Sequence, residues 1–120
     1  MSGAPSSKPE PHHGEVWWMD PGPVRGHEQG GRRPAVVVSP DGFNLGPWKL
    51  VVICPLTRAD RRFLLHIPID PPEAGLHYRS FVMVEQVRSI ALERLGARLG
   101  AVSARTAAAI DDRLRRLFDL

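Results

Sequence analysis

The chain of 120 residues has one cysteine, Cys54, one tyrosine, Tyr78, and two lysines among its sixteen cationic residues. A lone cysteine excludes an intramolecular disulfide framework, and its place in the run Leu50-Val51-Val52-Ile53-Cys54 marks it as a core residue of a cytoplasmic chain. That run is among the longest apolar stretches, far short of the roughly twenty residues that a membrane-spanning helix needs. The start of the sequence has no apolar signal segment either. Residues 1–13 are mostly Ser, Pro, His and Gly, too poor in large side chains to bury a core, so they are expected to form a disordered tail ahead of one domain at residues 14–120. The adjacent His12 and His13 have no Cys or His at ligand spacing to help them hold a metal.

What is present suffices for one hydrophobic core: 42% of residues are hydrophobic and 24% charged. Sixteen Lys and Arg against thirteen Asp and Glu leave a net charge of +3, yet the isoelectric point is about 9.7 because arginine dominates the cations. A bias of this size permits an anionic partner such as RNA without requiring one, so the placement of the arginines matters more than their sum.

The aromatic, β-favouring run at residues 15–20 predicts a first strand, stopped by Pro21-Gly22-Pro23. Residues 25–33 (Arg-Gly-His-Glu-Gln-Gly-Gly-Arg-Arg) contain no apolar side chain and cannot pack as a core element, so they predict an exposed loop. Pro34 then opens a continuous β-branched run to Ser39, the pattern of a strand buried on both faces. Residues 41–48 form a connection with room for one helical turn, residues 49–57 the longest strand, and residues 63–69 its antiparallel return. The pattern predicts a further strand over residues 80–90 and a short edge strand over residues 98–102. Ser103 can cap a closing amphipathic helix whose Ala107, Ile110, Leu114, Leu117 and Phe118 recur at three-to-four spacing and would pack on the barrel. Five or six short strands and one helix describe a mainly β (α+β) fold, a small antiparallel barrel with a C-terminal helix.

Chemistry concentrates in the loop at residues 25–33, where Arg25, Arg32 and Arg33 surround His27 and Glu28. Thr57, Arg58 and Arg61 fall on the next strand end and would complete a cationic rim if neighbouring strands pair. Glu85, Gln86 and Arg88 read equally well as RNA contacts or as a structural ion-pair cluster beneath the loop. His66 and His77 carry no signal of their own. Trp17 and Trp18 must face opposite sides of a strand, so at most one is core and the other is free to meet a partner.

Four blocks appear in a recognisable order: Gly14-Glu15-Val16-Trp17-Trp18; Gly26-His27-Glu28-Gln29-Gly30-Gly31-Arg32-Arg33-Pro34; Pro55-Leu56-Thr57; and Glu85-Gln86-Val87-Arg88-Ser89-Ile90. Together they resemble the MazF/PemK toxin family over residues 14–120, with the SH3-like barrel and C-terminal helix of MazF and CcdB. The resemblance implies a homodimeric endoribonuclease, independent of metals and cofactors, that cuts single-stranded RNA and is silenced by a MazE-like antitoxin. Its products would be a 2′,3′-cyclic phosphate and a 5′-hydroxyl. The family's catalytic arginine and threonine fall on Arg33 and Thr57, and Glu28 or Glu85 is expected to assist as base or to orient the 2′-hydroxyl. Arg25, His27, Gln29, Arg58, Arg61, Glu85 and Arg88 are then expected at the RNA, and Trp17 and Trp18 at the antitoxin. In the PemK-like branch a loop histidine acts with an arginine and an aspartate two residues apart; those positions are Met83 and Glu85 here. Met83 cannot replace a cation, so the Arg33–Thr57 scheme is preferred and His27 is auxiliary. A second expectation is a non-catalytic toxin that grips a protein such as gyrase, because CcdB inhibitors share this fold.

Overall fold

A computed structural model describes residues 9–20 and 32–120. Its strands are β1 (Glu15–Met19), β2 (Arg33–Val37), β3 (Leu50–Thr57), β4 (His66–Ile69), β5 (Ser80–Met83), β6 (Arg88–Ala91) and β7 (Leu95–Ala101). Its helices are the single-turn α1 (Asp41–Asn44) and the C-terminal α2 (Ala104–Phe118). The strands form one antiparallel sheet in the order β4-β5-β3-β2-β1-β7, with β6 also on β3. The mainly β architecture with a closing helix is therefore the one predicted.

The expected strand over residues 80–90 is two strands, because its partner β3 serves two neighbours. Leu50 to Ile53 pair with Ala91 to Arg88 of β6, whereas Leu56 and Thr57 pair with Val82 and Phe81 of β5. A 3-10 turn at Val84–Gln86 carries the chain from one half to the other. The edge strand is also longer than its apolar content suggested, since β7 gains its order by pairing with β1 through two register shifts.

Alternation along the central strands gives two packed faces. On one, Val16, Val36, Cys54, Leu56, Ile67 and Val82 meet Ile110 of α2. On the other, Trp17, Met19, Ala35, Val37, Val51 and Ile53 pack with Ile90 and Leu95. Burial pushes the Cys54 thiol up to about 12, helped by the nearby Glu85 carboxylate, so it stays protonated at neutral pH. Helix α2 starts where the sequence predicts: the Ser103 hydroxyl accepts the Thr106 N–H at 3.1 Å, and Glu73 accepts the Ser103 N–H at 3.0 Å. Of its apolar stripe, Ile110 is buried and Leu114 packs on the core, while Phe118 is exposed.

Residues 9–13, part of the segment whose composition suggests a tail, lie beside α1. Pro11 is buried, and its carbonyl accepts from Asn44 Nδ2 at 3.3 Å. The His13 N–H donates to Asp41 at 2.8 Å, and His12 Nδ1 lies 2.9 Å from the same carboxylate. No helix among the described residues is long and apolar enough to cross a membrane.

Candidate active site

The register of the central strands assembles the site. Ala35 sits opposite Pro55 and Val36 opposite Cys54, so the end of β2 that carries Arg33 and the end of β3 that carries Thr57 lie on the same side of the sheet's paired centre. Two positions separated by a long stretch of sequence thereby come to line one cleft. Beyond Thr57 the next strand contributes Phe81.

A cleft of about 390 Å³ opens where these strands end. Arg32, Arg33, Thr57 and Arg58 form its polar lining. Trp18, Pro34 and Leu56, which alternation sends to the α2 side of the sheet, supply apolar walls. The remaining wall comes from the segment before β5, with Leu76, His77, Tyr78 and Ser80. Its placement depends on two glycines. Gly75 has φ +72°, and a Cβ there would overlap the Leu99 carbonyl oxygen; a Cβ on Gly100 would lie 2.6 Å from the Ala74 carbonyl carbon. Only bare backbone lets the turn at Glu73–Gly75 press against β7 this closely.

Arg32 and Arg33 are both exposed and form no ion pair among the described residues. Arg58 likewise has no carboxylate partner there; its guanidinium carbon lies 3.9 Å from the centre of the Tyr78 ring. Three permanent cations without ion-pair partners among the described residues suit the cleft to an anion with several oxygens. Thr57 Oγ1 accepts the Ala59 N–H at 3.2 Å, which orients the hydroxyl while leaving its proton available to a ligand. Among the described residues, no three His, Cys, Asp or Glu side chains converge as metal ligands.

A family profile described as PemK-like, MazF-like toxin of type II toxin–antitoxin system matches residues 12–118. The chain belongs to this toxin family. It is 36% identical over 112 residues to endoribonuclease MazF9 of Mycobacterium tuberculosis, covering 89% of this chain and 95% of that protein. Endoribonuclease EndoA of Bacillus subtilis is 34% identical over 83 residues, 68% of this chain and 72% of that protein. The MazE-MazF crystal structure (Form-II) from Deinococcus radiodurans matches with TM-score 0.79 at 30% identity, covering 92% and 97% of the two chains.

In this PemK/MazF-family toxin, Arg33, Thr57 and Arg58, expected at the RNA, and Trp18, expected at the antitoxin, all line the cleft. Arg25, His27, Glu28 and Gln29 lie outside the described residues. Arg61 is not at the cleft: the loop after β3 doubles back, bringing its guanidinium 4.0 Å from the Met83 sulfur. Arg88 opens β6 opposite Ile53, also away from the cleft. The tryptophan pair divides. Trp17 is buried in the core, its ring N–H donating to Glu15 at 3.1 Å, whereas Trp18 is half-buried at the cleft.

Glu85 takes the structural role, with a partner that sequence reading passed over. Its Oε2 is 2.9 Å from Nε2 of His66, whose side chain is only 3% exposed. Strand register causes the meeting, because His66 opposes Met83 just before the turn that carries Glu85. His77 and Tyr78 were equally silent in sequence. The one available signal was position, on a short segment between the breaker Pro71-Pro72 and a strand that pairs with the Thr57 end of β3.

Proposed function

We propose that this chain is the toxin of a type II toxin–antitoxin pair and a metal-independent endoribonuclease acting on single-stranded RNA in the cytoplasm. The observation that carries the reading is that Arg33 and Thr57, from neighbouring strands β2 and β3, line one cleft together with guanidinium groups that have no ion-pair partner among the described residues. The 2′-hydroxyl of the substrate attacks the adjacent phosphorus in line, its proton passes to a base, and the P–O5′ bond breaks. The departing 5′-oxygen takes up a proton from solvent, so a 2′,3′-cyclic phosphate and a 5′-hydroxyl result.

Arg33 clamps the phosphoryl oxygens while negative charge grows on them, a role suited to a planar, permanently charged donor fork. The Thr57 hydroxyl donates one further hydrogen bond. Glu28, which precedes β2 in the sequence, supplies the carboxylate that accepts the 2′-proton. The functional unit is a homodimer, and a MazE-like antitoxin covers the cleft with Trp18 in its footprint. The named endoribonuclease relatives favour this chemistry over a toxin that merely grips a protein.

Incubating the purified protein with a long RNA in excess EDTA tests the reading. Cuts at a recurring short sequence, with termini that carry a cyclic phosphate, are expected; intact RNA across varied sequences would refute it.

A further inference from the structure

The Arg58–Tyr78 pair is not accounted for by phosphate chemistry. Tyr78 is 59% exposed, yet everything around it is fixed. Leu76 and Ser80 on either side are buried, and the Ser80 hydroxyl donates to the Tyr78 carbonyl at 2.9 Å. Arg79 turns away from the cleft, paired with Asp70 at 3.1 Å and lying 5.2 Å from the centre of the Phe81 ring. Gly75 locks the preceding turn onto β7. The backbone that carries the ring is thus anchored at the cleft wall, and the Arg58 guanidinium lies over the ring rather than on a carboxylate among the described residues.

We propose that Arg58 and Tyr78 form a nucleobase-stacking subsite beside the Arg33–Thr57 phosphate clamp, a proposal that rests on the nuclease reading above. Arg58 follows Thr57 directly in the chain, so the subsite begins one residue from the clamp. That spacing suits a nucleotide whose base and phosphate are read together. A planar cation and an aromatic ring both offer π-faces to an unpaired base, and the cation adds attraction for its phosphate. Bases in a duplex have their faces covered by neighbours, so the subsite also selects single strands. An acidic protein tail would satisfy the guanidinium charges but has no use for a stacked plane; RNA is the ligand that uses both.

The test measures cleavage of a single-stranded RNA with one mapped site by the full-length protein and its Tyr78→Ala, Tyr78→Phe and Arg58→Ala variants. Tyr78→Ala should raise KM about tenfold or more while kcat changes little, and Tyr78→Phe should behave as the unsubstituted protein. An abasic nucleotide beside the cleaved bond should impose the same KM penalty on the unsubstituted protein and add nothing further to Tyr78→Ala, the signature of two groups sharing one interaction. An unchanged KM in Tyr78→Ala, or abasic penalties undiminished in that variant, overturns the subsite alone. Absence of cleavage by the unsubstituted protein overturns the nuclease reading and the subsite with it, before any variant is made.

Discussion

Arg33 illustrates how little a side chain's own identity decides. An arginine at the end of a loop is ordinarily solvated; this one sits at the first position of β2, in a cleft shared with Thr57, with no ion-pair partner among the described residues. Losing one preorganised donor to a developing oxyanion typically costs about a hundredfold or more in rate. We predict that Arg33→Ala abolishes RNA cleavage to that extent without lowering the melting temperature, as followed by RNA end-mapping and thermal denaturation. Gly75 acts at the same scale through what it lacks. Adding a methyl group at φ +72° against the Leu99 carbonyl should destabilise Gly75→Ala by about 1–3 kcal/mol. It should also displace the Tyr78 wall, so denaturant melts and RNA affinity should fall together.

Among the elements, β3 and α2 do most to position the site. β3 holds two neighbours along its length, and the Thr57 end that pairs with β5 carries the cleft. Helix α2 is tied to the same region indirectly: Ser103 caps it and is held in turn by Glu73, in the turn that Gly75 presses onto β7. Hydrogen bonding to Ser103 and Thr106 holds the Glu73 carboxyl below its ordinary value, against the opposing effect of burial. Removing the cap in Ser103→Ala should cost about 1 kcal/mol, visible as a lower chemical-denaturation midpoint with catalysis retained. The helix was legible because its cap, alanine run and apolar spacing agree. The division of residues 80–90 was not legible, because it answers to a partner strand and not to local preference.

At the scale of the whole molecule, the N-terminal segment closes over α1 through the His12–Asp41 pair. The hydrogen bond between them raises His12 above its ordinary 6.5 and lowers Asp41 below its ordinary 3.8. A raised histidine contributes stability that is complete below its unfolded value and is lost as pH rises through the folded one. A lowered carboxylate contributes above its unfolded value and loses that contribution as pH falls through the folded one. The clasp is therefore strongest between about 3.8 and 6.5. In Asp41→Asn, NMR titration should return His12 to its ordinary value, and protease protection of residues 9–13 should lose its pH dependence.

The sequence by itself determined the elements whose signals are local: the doubly buried β2 and β3, the capped α2, and the blocks around Arg33 and Thr57 that announce the toxin family. These rest on short-range patterning, which survives in one dimension. Tertiary structure alone decided which distant residues meet. The pairing of β2 with β3 brought Thr57 and Arg33 to one cleft, and the register of β4 on β5 brought His66 to Glu85. The pleat sent Trp17 inward and Trp18 to the cleft, and close backbone packing at Gly75 set Tyr78 beside Arg58. Pairing across a sheet depends on partners far along the chain, and composition carries no record of that choice.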